Sequence, residues 1–507
     1  MEHQKFNFRS LEELKETILR LGVELPFSER LSDELPTSEG MGGELPVSER
    51  LDVLKTPLLL GSYLINNRIA IHPMEGCDGT ADGTPGELTF RRYERFGASG
   101  AGLLWVEACA VNHEGRGNAR HLYLNRDSLP SFKKLFNGMM AAAKPASEND
   151  FRLISLYNTS DTTSKADIQS NTDHQSTHSE QNGNSITFRP YTVLQLTHSG
   201  RYSKPSPDAT AVVAVCKNPY LDPYSNPKRR LVTDEELERL EDLYVETAQL
   251  AKEVGFDAVD VKCCHRYLIS ELLSAHTREG RYGGSFKNRV RFLLNIIDKL
   301  KANVEINVVV RFNAYDAIPY PYGWGTDENG RPALDEPRRL MQMLWEKGVR
   351  LVNITTGNPY YNPHIGRPAD IGPYIAAEHP VESAARMLHI IKEMKAAATG
   401  MTLVGTGFSW FREYGANIAA GCIEKGWLDI AGFGRQSFAY PDFARDIFAN
   451  GAMSRNKCCV TCTKCTELMR FGGQTGCIVR DSKIYLPLWR EATKGRTMMS
   501  AKIAHHV

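Results

Sequence analysis

Eight short apolar and β-branched runs recur between residues 68 and 435, each followed by a helical pattern. They are RIAIHPM (68 to 74), GLLWVEAC (102 to 109), YTVLQLTH (191 to 198), AVDVKCC (258 to 264), VVVRFN (308 to 313), RLVNITTG (350 to 357), TLVGTGFS (402 to 409) and LDIAGFGR (428 to 435). Strands buried on both faces read as such continuous runs, and the amphipathic stretches between them supply covering helices. Thr233-Asp-Glu-Glu236 reads as a capping box opening a long helix that stops at Gly255. The alternation predicts an α/β fold of eight βα units, a (β/α)8 TIM barrel. In such barrels the site lies at the C-terminal strand ends, where this sequence places His72, Glu107, Gln195, His198, Lys262, His265, Arg311, Thr355, Gly407 and Arg435.

A chain of 507 residues, 42% hydrophobic, can bury a large core, and one barrel absorbs most of that length. The balance of 61 basic against 60 acidic side chains creates no field arguing for nucleic acid or membrane, so a small molecule is the expected partner. The start, MEHQKFNFRSLEEL, carries no apolar run, which predicts neither a secretory signal nor a spanning helix and a cytoplasmic location. Residues 1–56 read as an N-terminal extension: Ser10-Leu-Glu-Glu13 caps a short helix, and ELPFSE, ELPTSE and ELPVSE repeat from 24, 34 and 44 in an extended arm. The barrel spans 57–455, interrupted near 158–185 by a polar insertion whose clearly apolar residues are Ala166 and Ile168, the composition of a disordered segment. Residues 456–507 form a cysteine-rich segment.

That segment holds Cys459, Cys462, Cys465 and Cys477, a C-x2-C-x2-C-x11-C array. A tight triple loop brings three thiolates together and a nearby loop brings the fourth, the ligation used by [4Fe-4S] clusters. Zinc, which more often takes two well-separated C-x2-C pairs, and free or redox thiols are the alternatives. Eleven cysteines, five of them between 458 and 477, fit a reducing compartment and a metal better than a disulfide framework.

Gly405-Thr-Gly407 ends the seventh run and Gly432-Phe-Gly434-Arg435 the eighth, the two loops where barrels commonly bind phosphate. Backbone amides without a Cβ in the way can close on an oxyanion, and Arg435 adds a charged fork. Each glycine pair alone is equally a tight turn; together on adjacent strands they favour phosphate.

HPMEGCDG, EACAVNHEGRG, LQLTHSGRYSKP, GFDAVDVKCCHRYLISELLSAHT, RYGGSFKNR, VVVRF and GFGRQSFAYPDF resemble the old yellow enzyme family of FMN-dependent oxidoreductases over roughly residues 57 to 450. With the cysteine array, the likeness narrows to the iron-sulfur branch that includes 2,4-dienoyl-CoA reductase and trimethylamine dehydrogenase. The resemblance implies FMN and one [4Fe-4S] cluster on Cys459, Cys462, Cys465 and Cys477. It places Pro73, Met74 and Ala108 against the flavin, Gln195 on its pyrimidine edge, Arg311 near N1 and O2, and Gly407, Gly434 and Arg435 on the phosphate. A cation at the N1/O2 edge stabilises the negative charge of a reduced flavin. Arg311 read alone is equally a structural ion-pair residue, and Gln195 an ordinary interior amide.

Lys262-Cys-Cys-His265-Arg-Tyr267 matches the family pattern H-x-x-[HN]-x-Y, with lysine in place of the first imidazole. The resemblance makes Lys262 and His265 the donors that hold a substrate oxygen, and Tyr267 the acid that protonates the α carbon. Lys262 could instead pair with Asp260 or Glu107, and Tyr267 could be a packed aromatic. In GNPYYNPHIGRP, which also offers Tyr360 and Tyr361, His364 is the expected second acid. Glu75 stands where relatives carry a small polar or sulfur side chain beside the flavin, and Cys77 follows two positions later; both are read as local loop structure.

The reading is an ene-reductase acting on a C=C bond conjugated to a carbonyl. An amine-oxidising flavin/iron-sulfur dehydrogenase and a non-catalytic redox sensor are the alternatives. Longer relatives of the branch continue into FAD- and nucleotide-binding domains, so a separate ferredoxin or reductase is expected to deliver electrons to the cluster, unless NADH or NADPH does so at the substrate face. Nine Lys and Arg against three Asp and Glu over residues 457–507 would attract an acidic carrier. The oligomeric state is left open.

Overall fold

The computed structural model describes residues 4–29, 53–144, 189–215, 217–222, 229–372 and 374–494. The second and third ELP repeats and the polar insertion lie outside them.

Each of the eight runs coincides with a barrel strand, the second and fifth strands reaching slightly beyond theirs: β1 (Ile69–Ile71), β2 (Leu103–Ala110), β3 (Tyr191–Thr197), β4 (Ala258–Val261), β5 (Asn307–Tyr315), β6 (Leu351–Thr356), β7 (Thr402–Gly405) and β8 (Ile430–Phe433). All neighbours pair in parallel, and β8 closes on β1 through Gly432 opposite Ala70 and Phe433 opposite Ile71. An α-helix separates every pair of successive barrel strands, as the predicted βα alternation requires. The longest, Asp234–Val254, opens on the expected Thr233/Glu236 capping box and stops at Gly255, whose φ of 115° suits glycine.

Side-chain alternation divides each strand between two cores. Trp105, Val193, Ala258, Val309, Leu351, Val404 and Ile430 fill the lower barrel interior, while their neighbours Leu104, Leu194, Val259, Val310, Val352, Leu403 and Ala431 face the helices. A hairpin of Leu58–Leu60 and Tyr63–Ile65, unforeseen in the sequence, adds Leu60 and Ile65 to the interior cluster. Two residues above the apolar layer, the same parity brings Gln195, Asp260, Arg311 and Asn353 inward, all buried. Ladder register shifts between Val106 and Cys109 and between Thr355 and Thr356, near these strands' upper ends, where such irregularities re-aim side chains.

Of the N-terminal extension, residues 4–29 pack onto the rest of the chain. Ser10 caps the helix Leu11–Arg20, which buries Leu14 and Ile18, but Glu13 returns its bond to the N–H of Arg9 at 2.7 Å. Phe6 N–H donates to Asp370 at 3.1 Å, and the first ELP repeat is pinned by Ser28 N–H on the Asn417 carbonyl. Among the described residues no helix is long and apolar enough to cross a membrane.

Candidate active site

A cleft opens above the barrel strands, and the first, fourth, fifth, sixth, seventh and eighth strands contribute to it. Pro73, Met74, Lys262, His265, Tyr267, Arg311, Gly407, Gly434 and Arg435 all line it, joined by Glu75, Tyr360, Arg367 and Cys465. Gln195 and Ala108 sit fully buried behind this lining, and His364 is not part of it.

At the floor, Asp260 organises the interior polar layer. It accepts from Gln195 Nε2 at 2.6 Å, Arg311 N–H at 2.7 Å and Trp105 Nε1 at 2.9 Å. Burial pushes its carboxyl up to about 6 against these donors. The Gln195 amide is thereby oriented, leaving its Oε1 buried without a protein partner; Arg311 Nε is likewise unpartnered. Buried polar atoms are normally satisfied, so both atoms fit an absent heterocycle with donor and acceptor edges.

Near β7 and β8, two guanidinium groups face the same space. Arg435 donates to the Pro368 carbonyl at 2.8 Å and keeps Nη1 buried and unpartnered; Arg367 donates to Thr466 Oγ1 at 2.6 Å. Burial and the charges of Arg435 and Arg470 hold Arg367 down to about 10. Two cations kept this close in a dry pocket fit a dianionic phosphate. Gly407 adopts φ 115° at this edge, and at Gly434 a Cβ would approach the Met74 sulfur to 2.9 Å. The lining therefore fits FMN. Arg367 was not singled out in the sequence because no strand or glycine motif marks its loop.

On the substrate side, the first βα loop and the fourth meet. Glu75 Oε1 lies 2.6 Å from Lys262 Nζ, and the Tyr267 hydroxyl donates to Glu75 at 3.0 Å. Lys262 Nζ also stands 3.9 Å from the centroid of the Tyr267 ring. Lys262 thus pairs with neither Asp260 nor Glu107, and Glu75, set aside as loop structure, is the residue that ties the other two together. Burial opposes ionisation of Glu75, but Lys262 and His121 bring it below its usual range; burial and the Glu75 charge raise Tyr267 well above its own. His265, at φ 62°, contacts Cys264 Sγ at 3.6 Å. Burial and the charges of Arg311, Lys262 and Arg367 keep its ring neutral.

His364 turns away, its Nδ1 2.5 Å from the Tyr374 hydroxyl and its Nε2 3.4 Å from Glu378. Tyr360 from the same loop faces the cleft in its place, stacked on Tyr202 with ring centroids 3.4 Å apart.

The cysteine array adjoins this cleft. Cys465, Thr466, Met469 and Thr475 form part of its wall. Burial raises the thiol pKa of Cys459, Cys462 and Cys477, and the neighbouring Cys465 sulfur adds to it in each. Thr461 N–H points at Cys459 Sγ and Arg480 N–H at Cys477 Sγ, at 3.4 and 3.3 Å. Among the described residues no three His, Cys, Asp or Glu side chains converge tightly enough to chelate a single ion.

Residues 189–329 match the model of the NADH:flavin oxidoreductase / NADH oxidase family. The chain is 23% identical over 408 residues to an NADH oxidase of Thermoanaerobacter brockii, a match covering 80% of this chain and 52% of that one. It is 26% identical over 400 residues to an NADPH dehydrogenase of Bacillus subtilis (strain 168), covering 77% and 93%. The chain thus spans about half the length of the NADH oxidase. The fold is shared with the solved structure of a 2-naphthoyl-CoA reductase in complex with 2-naphthoyl-CoA, at a TM-score of 0.62 and 20% identity over 86% of this chain and 58% of that one. Through this match and the closed barrel that carries it, the chain resembles the NADH:flavin oxidoreductase / NADH oxidase family.

Proposed function

We propose that this protein is an FMN-dependent oxidoreductase that reduces a C=C bond conjugated to a carbonyl. The observation that carries this reading is the single cleft in which Lys262, His265 and Tyr267 face Arg311 and the paired guanidinium groups of Arg367 and Arg435. FMN, when bound, would supply the hydride delivered to the β carbon. Gln195 and Arg311 would hold its pyrimidine edge, Arg367, Arg435, Gly407 and Gly434 its phosphate, and Pro73 and Met74 its ring.

His265, kept neutral, donates a hydrogen bond to the substrate carbonyl, and the Lys262 ammonium stabilises the charge that develops on that oxygen; one well-placed donor is worth about 3 kcal/mol. Tyr267 gives its proton to the α carbon. Tyr360 takes the place expected for His364 as the second acid over the cleft, and its stack with Tyr202 sets a flat wall for the substrate.

Cys459, Cys462, Cys465 and Cys477 would hold a [4Fe-4S] cluster beside the flavin, through which a ferredoxin or reductase passes electrons. NADH or NADPH at the substrate face is the competing route. An anaerobic absorbance spectrum with FMN, iron and sulfide quantified, followed by turnover of cyclohexenone, tests the reading. FMN with reduction of the enone supports it; FAD, or FMN with no enone turnover, defeats it.

A further inference from the structure

Glu75 departs from the small side chains of the family pattern, and Lys262 from its imidazole; the two meet at 2.6 Å although 187 positions separate them. Tyr267 completes a closed set, its hydroxyl 3.1 and 3.0 Å from the two Glu75 oxygens and its ring beneath the Lys262 ammonium. Lys262 and Tyr267 are nearly fully buried, whereas Glu75 keeps 15% of its side chain exposed at the cleft. A tyrosine that yields its proton inside a dry pocket leaves a phenolate, whose charge burial penalises. A neighbouring acid that re-protonates it in the same event removes that cost.

We propose that Lys262, Glu75 and Tyr267 form a proton relay in which Glu75 is the link to solvent, an inference that rests on the ene-reductase reading above. The Tyr267 O–H bond breaks as the C–H bond forms at the α carbon. Glu75 takes a proton from solvent at its exposed edge, and the Glu75 O–H bond breaks as the Tyr267 O–H bond is restored. Lys262 keeps its proton throughout and holds the Glu75 carboxylate against Tyr267. The electron pair that makes the C–H bond is that of the enolate formed when the β carbon accepts hydride from reduced flavin, so one proton and one hydride are consumed per alkene. Glu75 is a positioning and relay residue; it does not act on the alkene itself.

The groups facing Glu75 from surrounding elements are Lys262 after β4, Tyr267 in the loop beyond it, His121 from the second βα loop and Glu107 on β2, with Tyr360 from the sixth loop. His121 donates from Nε2 to the Ala108 carbonyl at 2.8 Å and accepts the Gly117 N–H at Nδ1, so its ring has no spare proton for this path. Glu107 is occupied by Arg92 and by the Gly76 N–H.

The test uses FMN-loaded enzyme, reduced with dithionite and mixed anaerobically with cyclohexenone in stopped flow, with oxygen as a proton-relay-independent oxidant. Glu75→Gln should slow reoxidation by the enone about 10²-fold while leaving reoxidation by oxygen unchanged, and Glu75→Asp should recover part of the loss. In wild type, the enone rate plotted against deuterium fraction of the solvent should curve, reporting two protons in flight, and the plot should become linear in Glu75→Gln. The wild-type plot needs no variant to fold. A linear wild-type plot, or equal enone rates in wild type and Glu75→Gln, overturns the relay. Wild-type flavin that oxygen reoxidises but the enone does not overturns the ene-reductase reading instead.

Discussion

The backbone N–H of Thr475 donates to the carbonyl of Gly76 at 2.6 Å, fastening the cysteine-rich segment to the loop that presents Glu75. Gly76 is held from its other side as well, its N–H donating to Glu107 Oε2 at 2.7 Å. A Cβ there would lie 2.0 Å from Arg92 Nη1, and Arg92 is locked between the buried carboxylates of Asp78 and Glu107. Gly76→Ala should therefore dislodge Arg92 and leave two buried charges uncompensated, a loss of roughly 3 kcal/mol. Denaturant unfolding of the variant beside wild type measures it, and an unchanged midpoint contradicts it.

Glu107 also gives the fold a pH dependence. Burial, opposed by Arg92 and reinforced by Asp78, pushes its carboxyl up to about 7. An unfolded chain ionises it near about 4.3, so between these values the native state binds more protons than the unfolded one. This contribution to stability is present at low pH, falls as pH rises through that window and is flat above it. Glu107→Gln removes the titration: the difference in unfolding free energy between variant and wild type should shift in the variant's favour from pH 4.5 to 7. A difference independent of pH would show that Glu107 is ionised throughout.

In the proposed site, phosphate recognition would be divided between Arg435, expected from its motif, and Arg367, which the sequence did not mark. Denatured protein should release FMN, about one per chain, and Arg435→Ala and Arg367→Ala should each weaken its retention, since each removes a charge-assisted fork. Equilibrium dialysis of the two variants measures the loss; retention unchanged in Arg367→Ala would leave that cation to the cysteine segment alone.

The eight strands were legible because each is buried on both faces, and double burial writes a continuous apolar run into the sequence. The parity that aims Gln195, Asp260 and Arg311 inward follows from the same strands. What could not be read locally lies in loops: Glu75 gains meaning only from Lys262, far away in sequence and adjacent after barrel closure. His364 and Tyr360 share a loop without periodicity, so nothing local says which of them faces the cleft. The hairpin beneath the barrel escaped notice because its strands span three residues each.

Tyr267 should separate the two halves of the catalytic cycle. Tyr267→Phe keeps the ring under Lys262 but removes the proton given to carbon, so flavin reduction by an artificial donor should persist while alkene-dependent reoxidation slows by ~10² or more. Equal rates of both steps in variant and wild type would assign the proton to Tyr360, the other hydroxyl over the cleft.

Electron entry is the last point the geometry makes testable. Cys465 and Thr466 belong both to the cysteine array and to the cleft wall, and Arg367 bridges to Thr466 at 2.6 Å, so a cluster there would sit beside the flavin phosphate end. Cys462 and Cys477 are partly exposed, and the surrounding stretch carries the exposed Val479 and the basic side chains Lys464, Arg470 and Arg480, with Thr463 donating to the carbonyl of the exposed Ile371. That surface would attract an acidic carrier, and association should weaken as salt screens it. Stopped-flow flavin reduction by reduced ferredoxin should be fast in wild type, decline with ionic strength and collapse in Cys462→Ser. Rapid reduction by NADH or NADPH that survives Cys462→Ser would show that hydride enters at the substrate face, and would leave the array a structural clasp between the segment and the Gly76 loop.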